Sequence, residues 1–558
     1  MTQDFYDAIV VGSGATGGFA AKELTEHGLR VLVLEAGGPL PEAKFELAAR
    51  ANFATIGSFA RIKAGISGQH KQALTSFFTP EKSFLFVNDR EHPYESSQDF
   101  YLWLRGKHVG GRFLAWGRVA LRMSDYTFKF RSHEGAGFDW PISYADLAPY
   151  YERVERFLGM AGNDDAIAYC PSGSYARPAG LSRAELHFKQ AIEARWTDAK
   201  AMAWRYVSKE ATPLDADRNR TTLPLAAAFA TGNLTLRPYS PVERINTDPR
   251  TGKATGVTYI DSATGTRREA RANVVMLCAS TIESIRLLLN SGGSKHPNGL
   301  GNSSGLVGRY FMDQMLTLGF GTAPGFQGGE QVDGTTPADN HGGIYIPRFK
   351  QLRHPGEAGY AGGFNLQGIV GRPMVPPDMD SVFGLTGHGE ILPHEENHVR
   401  LATRRDRLGV PIPSVNVRLR ENDLKLLRDQ VQTQKDMMRE AGLKTDFLIS
   451  PLGIDPDSPL MPNARWYERL LFRMAYKRSV AVGGAIHECG GARMGTDPKS
   501  SVLNSINQVW DAPNVFVTDS SCFVTNGTCG PTLTTMALTV RACEHIVGEY
   551  GRSPELRA

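Results

Sequence analysis

The 558-residue sequence has no uninterrupted apolar run of membrane-spanning length, and its mean hydropathy is −0.28, so no transmembrane helix is expected. Cysteine is scarce. The six residues Cys170, Cys278, Cys489, Cys522, Cys529 and Cys543 include no C-x-x-C pair, which argues against a disulfide framework, a zinc ribbon, a thioredoxin-like dithiol and a covalently attached c-type haem. No metal site is expected, and the thiols read as reduced. Neither sign of charge dominates: 62 Lys+Arg face 58 Asp+Glu, a net charge of +4, so no nucleic acid or other polyanionic partner is implied. The opening Met1-Thr2-Gln3-Asp4-Phe5 lacks both a basic n-region and an apolar h-region, which reads as cytoplasmic. There is no tandem repeat and no low-complexity tract. What remains is an ordinary globular composition, 41% hydrophobic and 22% charged, long enough for two domains in succession or for one interleaved unit.

The first chemical signal is at the amino terminus. Tyr6 to Val11 is apolar and rich in β-branched residues, as in a buried parallel strand, and Gly12-Ser13-Gly14-Ala15-Thr16-Gly17 follows at once. A helical stretch from Phe19 to His27 stops at Gly28, and a second apolar strand, Arg30 to Glu35, succeeds it. This is a βαβ unit with G-x-G-x-x-G at its first turn. Gly12 permits the tight turn, Gly14 lets backbone approach a pyrophosphate, and Gly17 lets helix and strand pack closely. The helix N-terminus offers unpaired N–H groups to phosphate, and Glu35 ends the second strand where a carboxylate accepts from a ribose diol. A dinucleotide binds here; the motif alone does not separate FAD from NAD.

Further along, residues 40 to about 100 are irregular, as in an arm or lid, and Gly110-Gly111 follows a basic stretch in a way that suits backbone passing close to a cofactor. Asn233 to Val275 reads as a small antiparallel excursion. Asn273 to Ala279 reads as a buried strand, and Ser280-Thr281-Ile282-Glu283 as a capping box opening a helix. Residues 320 to 365, rich in glycine, are expected to form loops and short strands over a pocket. A charged helix over Asn422 to Glu440 would pack through Leu424, Leu427, Val431 and Met438. Near the carboxy terminus come Ala485-Ile486-His487-Glu488-Cys489-Gly490-Gly491-Ala492-Arg493-Met494-Gly495, a strand Asn514 to Thr518, then Asp519. Last, Pro531 opens a helix whose N-terminus is suited to stabilise negative charge.

Taken together, these segments resemble the glucose-methanol-choline oxidoreductases, a family of FAD-dependent alcohol and sugar oxidases and dehydrogenases. The likeness spans the chain. It comprises the Gly12, Gly14, Gly17, Glu35 motif, the R-G-K-x-V-G-G segment ending at Gly110 and Gly111, the V-V-x-x-x-A-S-x-x-E-S-x-R-L-L turn, the phrase Glu390-Ile391-Leu392-Pro393 with Asn397 and Val399, and the closing H-x-x-G-G-x-R-M-G and D-x-S…P-T-L-T blocks. The last two resemble most closely the pyranose-oxidising branch of pyranose oxidases, glucose dehydrogenases and glycoside 3-dehydrogenases.

The resemblance implies an α/β, Rossmann-like FAD domain interleaved with a substrate domain on a mainly antiparallel sheet. The expected FAD domain is 1–40, 85–160, 220–310 and 480–558, and the substrate domain 161–219 and 311–479, with 41–84 as an insertion. It implies hydride transfer from a carbinol carbon to flavin N5, with His487 removing the hydroxyl proton; Asp519 and Ser520 near the ribityl-pyrophosphate; and Pro531 and Thr532 beside the flavin pyrimidine ring. Two departures stand out. The branch's second catalytic Asn or His falls on Gly530, so Asn526 is the substitute candidate, and the position of the covalent FAD link is Ala115, so FAD is expected to be non-covalent. The expected reaction is oxidation of a secondary hydroxyl of a sugar or glycoside, at C3, by a dehydrogenase. An oxidase using O₂ and a lyase on the same fold stay open as alternatives. A dehydrogenase of this kind implies a small subunit and a cytochrome as partners, and a signal-bearing small subunit would allow export to the periplasm.

Overall fold

The computed structural model describes residues 5–41, 58–96, 99–207, 222–332, 341–462 and 464–551. The larger sheet is built outward from the strand Phe5–Val11, whose Ile9 and Val10 are fully buried because both faces of a parallel sheet are covered. It pairs in parallel with Val31–Leu34 on one side and Arg267–Leu277 on the other. Leu234–Arg237 and Ala512–Val517 extend the two edges in parallel register. A strand from the first dozen residues and one from the last fifty thus share a sheet with only Arg267–Leu277 between them. The helix Ala15–Glu26 packs on this sheet and against the helices Leu223–Ala230 and Thr532–Tyr550.

A second sheet of seven strands has only antiparallel pairings and is drawn from Met202–Ala203 and the region between Gln314 and Ile454. The architecture is therefore a Rossmann-like α/β unit combined with an antiparallel sheet. Part of the expected 41–84 insertion, residues 42–57, lies outside the described residues. Among those described, no helix is long and apolar enough to cross a membrane, and all six cysteines are buried and free.

Four local expectations are corrected. Leu234–Arg237 belongs to the parallel sheet rather than to the antiparallel excursion, which begins at Val242. Residues 320–327, expected as loop or short strand, are the second half of a 14-residue strand, Gln314–Gln327, inside the second sheet. Gly319 makes room for a helix, since a Cβ there would lie 2.8 Å from the Met438 sulfur and 3.1 Å from Gln434 Nε2, and Gly321 makes room for the backbone of the neighbouring strand at Lys444. That helix, Glu421–Glu440, buries Leu426, Leu427, Gln430, Gln434, Met437 and Met438, a face rotated from the expected one; Leu424 and Val431 are half-buried. Finally, Ser280 has φ 79° and does not cap the helix Thr281–Asn290; its hydroxyl accepts from Arg112 Nη2 at 3.1 Å, while Glu283 pairs with Arg286 at 2.6 Å.

Candidate active site

Gly12 turns the chain with φ +95°, a conformation only glycine takes freely, and even a Cβ there would approach Cys278 O to 2.6 Å. Gly17 is closed in still more tightly, because its Cβ would overlap the Gly12 carbonyl oxygen. Gly14 is different: a Cβ there would meet no atom within 4 Å. It stands at the N-cap of the helix Ala15–Glu26, which has no side-chain cap and no acidic residue in its first turn. Open space, free N–H groups and positive helix dipole coincide there, as phosphate requires.

Glu35, 6% exposed, borders this space. Its Oε2 accepts from Ser13 N at 3.1 Å and Ser13 Oγ at 2.6 Å, and its Oε1 accepts from Gly37 N at 2.9 Å. Burial pushes its carboxyl pKa up, against these hydrogen bonds and the charge of Lys107. Two carboxylate oxygens offer about four acceptor sites, so one is left for a ribose hydroxyl. Ser13 Oγ in turn accepts from Gly110 N at 3.0 Å, and a Cβ on Gly111 would lie 3.2 Å from Gly14 Cα. The Gly110-Gly111 turn thus lies directly against the glycine motif, nearly one hundred residues away in sequence.

At the other end, three stretches of chain zip together. Met312 and Cys489 exchange backbone hydrogen bonds at 2.8 and 2.9 Å, and Gly490 N and Ala492 N donate to Ser520 O and Ser521 O, both at 2.9 Å. Asp519 is buried, receives the hydroxyls of Ser284 and Ser521, and has its pKa raised by burial. The structure thus brings Asp519 and Ser520 alongside the His487 segment. Ile486, immediately before His487, is a β-branched residue at φ +63°, a backbone strain of roughly 1–3 kcal/mol held by the surrounding structure.

His487 is half-buried, and its Nδ1 lies 2.6 Å from Gln314 Oε1. The Gln314 amide cannot turn round, since its Nε2 donates to Gly527 O at 2.7 Å and Cys529 O at 3.2 Å. Its oxygen therefore faces the imidazole, Nδ1 carries the proton, and Nε2 is the free acceptor. Burial, then the neighbouring His388 ring and Arg112, hold the His487 pKa well below the usual imidazole value. Gly530 lies beside that free nitrogen, where its Cβ would be 3.2 Å from Nε2. Pro531 is the N-cap of the 19-residue helix Thr532–Tyr550, so Thr532 and the helix N-terminus reach the same place.

Asn526 is buried in this cluster, but its Nδ2 donates to Asp313 O at 2.6 Å. Asp313 is a residue sequence reasoning missed. Its Oδ1 accepts from Gln314 N at 2.7 Å and His487 N at 3.2 Å, and its Oδ2 from Tyr101 Oη at 2.9 Å. Burial, then the nearby Glu488 carboxylate, push its pKa up to about 7. Glu488 itself is paired with Arg112 at 2.6 Å. Among the described residues, no group of three His, Cys, Asp or Glu side chains could hold a metal ion.

Arg112, next to Gly111, pairs with Glu488, next to His487, and so ties the dinucleotide cradle to the histidine at the helix N-terminus, an arrangement that defines a dinucleotide-dependent oxidoreductase. Residues 6–316 match the amino-terminal and residues 393–539 the carboxy-terminal domain of the GMC oxidoreductases. The chain belongs to that family, whose members bind FAD and act on CH–OH groups of alcohols and sugars. It is 27% identical to a 2-methyl-1,2-propanediol dehydrogenase of Mycolicibacterium austroafricanum, over 97% of this chain and 95% of that one. It is 24% identical to the fructose dehydrogenase large subunit of Gluconobacter japonicus, over 97% and 98% of the two chains. The fold is also that of formate oxidase from Aspergillus oryzae, with a TM-score of 0.64 at 17% identity, covering 98% of this chain and 99% of that one.

Proposed function

We propose that this enzyme is a dehydrogenase that oxidises a secondary hydroxyl of a sugar or glycoside, at C3, to the keto-sugar. The observation that carries the reading is His487: its Nδ1–H is committed to Gln314 and its Nε2 stands free beside Gly530 and the N-terminus of the last helix. The cradle around Gly12, Gly14, Gly17 and Glu35, closed by Gly110 and Gly111, fits the adenosine and pyrophosphate of FAD. Asp519, Ser520, Pro531 and Thr532 would hold its flavin end. Ala115 offers no side chain for a covalent bond, so the cofactor is held non-covalently.

When bound, FAD accepts the hydride that leaves the carbinol carbon. The chain's own part is the proton. His487 is neutral at neutral pH, receives the hydroxyl proton on Nε2, and passes part of the resulting charge to Gln314 through Nδ1–H. The carbinol thereby becomes a carbonyl, a hydride having left its carbon and a proton its oxygen. The buried Gln314, Asp313 and Asn526 keep His487 in place and exclude water from its Nδ1 side. The sugar-dehydrogenase relative is named as a large subunit; on that likeness the electrons leave this chain through a small subunit and a cytochrome.

Anaerobic titration of the holoenzyme with glucose, methyl glucosides and larger glycosides should bleach the oxidised-flavin absorbance, and product analysis should find the 3-keto-sugar. Absence of bleaching by any sugar would remove the reading, and peroxide release during aerobic turnover would make the enzyme an oxidase instead. Gln314→Leu should retain FAD but reduce it about 10–100-fold more slowly, the range found when a metal-bound histidine loses its orienting partner. A rate unchanged in stopped-flow would show that the tautomer is set by something else.

A further inference from the structure

His388 is not part of any motif, yet its ring centroid is 5.2 Å from that of His487, with an angle of 38° between the planes. It is 2% exposed, and its Nδ1 has no hydrogen-bond partner among the described residues. It sits on the strand Asp380–Glu390, paired directly with Asn365 on one side and Leu316 on the other, while Glu390 pairs with Gln314. Directly paired residues, and residues two apart on one strand, share a face of the sheet. His388, Asn365 and Gln314 therefore line the same face, the one turned to His487.

Two more polar atoms on this side lack partners. Asn365, 3% exposed, donates through Nδ2 to Thr528 O but leaves its Oδ1 unmatched, and Thr528, 1% exposed, leaves its Oγ1 unmatched. Buried polar atoms without partners are costly, and these three are linked side by side: Asn365 is the strand partner of His388, is hydrogen-bonded to Thr528, and the His388 ring lies against that of His487. They describe a place where a molecule with hydroxyl groups completes the hydrogen bonding. Gly530 adds the complementary fact, since the position nearest His487 Nε2 carries no side chain to hold such a molecule.

We propose that His388 is the second catalytic histidine: its Nδ1–H donates a hydrogen bond to the oxygen of the hydroxyl whose proton His487 accepts, doing from the antiparallel sheet what residue 530 lacks the side chain to do. Asn365 Oδ1 accepts from a neighbouring hydroxyl of the same sugar ring. No proton is transferred to or from His388; it fixes the oxygen between two imidazoles and supports the negative charge that grows there. Burial keeps His388 neutral, lowering its pKa to about 4, so it remains a single-proton donor rather than a cation repelling a protonated His487. This inference rests on the sugar reading above.

The test compares His388→Phe, which keeps the ring and removes both nitrogens, with His388→Asn, which keeps an N–H near the position of Nδ1. Both are examined as holoenzymes with the native flavin spectrum. On dithionite-reduced enzyme, which cannot turn over, methyl glucoside and its 3-deoxy analogue are titrated calorimetrically. Native enzyme and the Asn variant should bind the glucoside more tightly than the deoxy compound. The Phe variant should lose about tenfold in glucoside affinity, bind the two ligands equally, and be reduced at least 100-fold more slowly. A Phe variant reduced within threefold of the native rate overturns the proposal, and so does a preference for the intact sugar that survives in it. Should the Phe variant fail to load FAD, an Asn variant with no preference between the two ligands overturns it and one with the native preference supports it. A native enzyme that neither binds nor is reduced by any sugar overturns the sugar reading instead.

Discussion

His487→Ala should load FAD normally and be reduced by its sugar about 10³-fold more slowly than the native enzyme, within the range by which a positioned general base accelerates a reaction. The side chain is not needed to hold the neighbouring backbone, because Cys489 and Met312 exchange their own hydrogen bonds and Asp313 binds the His487 N–H, not its ring. The loss therefore falls on the proton transfer, and stopped-flow reduction together with an unchanged flavin spectrum separates it from misfolding. A variant slowed less than tenfold would mean that the hydroxyl proton leaves by another route.

The pH dependence has a definite sign. A histidine held below its ordinary pKa near 6.5 is in its neutral, proton-accepting form throughout the neutral range. The reduction rate should consequently be level from pH 8 to below pH 6 and decline only in more acid solution. Arg112 is one of the groups that depress this pKa. Arg112→Gln should move the acid decline to higher pH, and a native profile that falls between pH 7 and 6 and is unchanged by Asp313→Asn, which removes the neighbouring carboxyl raised to about 7, would show that the imidazole is not held down.

Much of this site could be read in the sequence because local geometry dictates it. Gly12, Gly14 and Gly17 are spaced by the turn and helix they form, Glu35 ends the next strand, and His487 and Asp519 stand in compact blocks with recognisable neighbours. Gln314 and His388 could not be read in the same way. Gln314 meets His487 across 173 residues, through an antiparallel bridge between Met312 and Cys489 that no local pattern announces. His388 is one polar residue in an alternating strand, and only its pairing with Asn365 and its contact with the His487 ring reveal where its unmatched nitrogen lies. Glycine misled the reading of residues 320 to 365. Its scarcity in strands reflects a missing side chain, and at Gly321 that absence is what admits the neighbouring strand at Lys444 and the Phe383 ring. Ser280 misled in the opposite direction: the capping pattern is present, but the hydroxyl is taken by Arg112.

Gly14→Ala and Gly17→Ala should fail in different ways, although the two glycines are three residues apart in one motif. At Gly17 the added methyl overlaps the Gly12 carbonyl oxygen, a backbone atom fixed by the turn, so helix and strand must separate. Overpacking of this kind costs about 1–3 kcal/mol, and the apoprotein should melt at a lower temperature whether or not FAD is added. At Gly14 the methyl meets no protein atom within 4 Å, and φ is −70°, which alanine accepts. The Gly14→Ala apoprotein should therefore be as stable as the native one to within about 0.5 kcal/mol. Its methyl instead occupies the space assigned to the pyrophosphate; a clash of about 1–3 kcal/mol there weakens FAD binding by roughly 10–100-fold. Thermal melts of the two apoproteins with and without FAD, and flavin fluorescence titration of each, distinguish the cases, because a ligand stabilises only in proportion to its binding of the folded form. A Gly14→Ala protein that binds FAD as tightly as the native one would move the pyrophosphate away from the helix N-terminus, whereas an apoprotein destabilised like Gly17→Ala would mean that the space over Gly14 closes when the cofactor is absent.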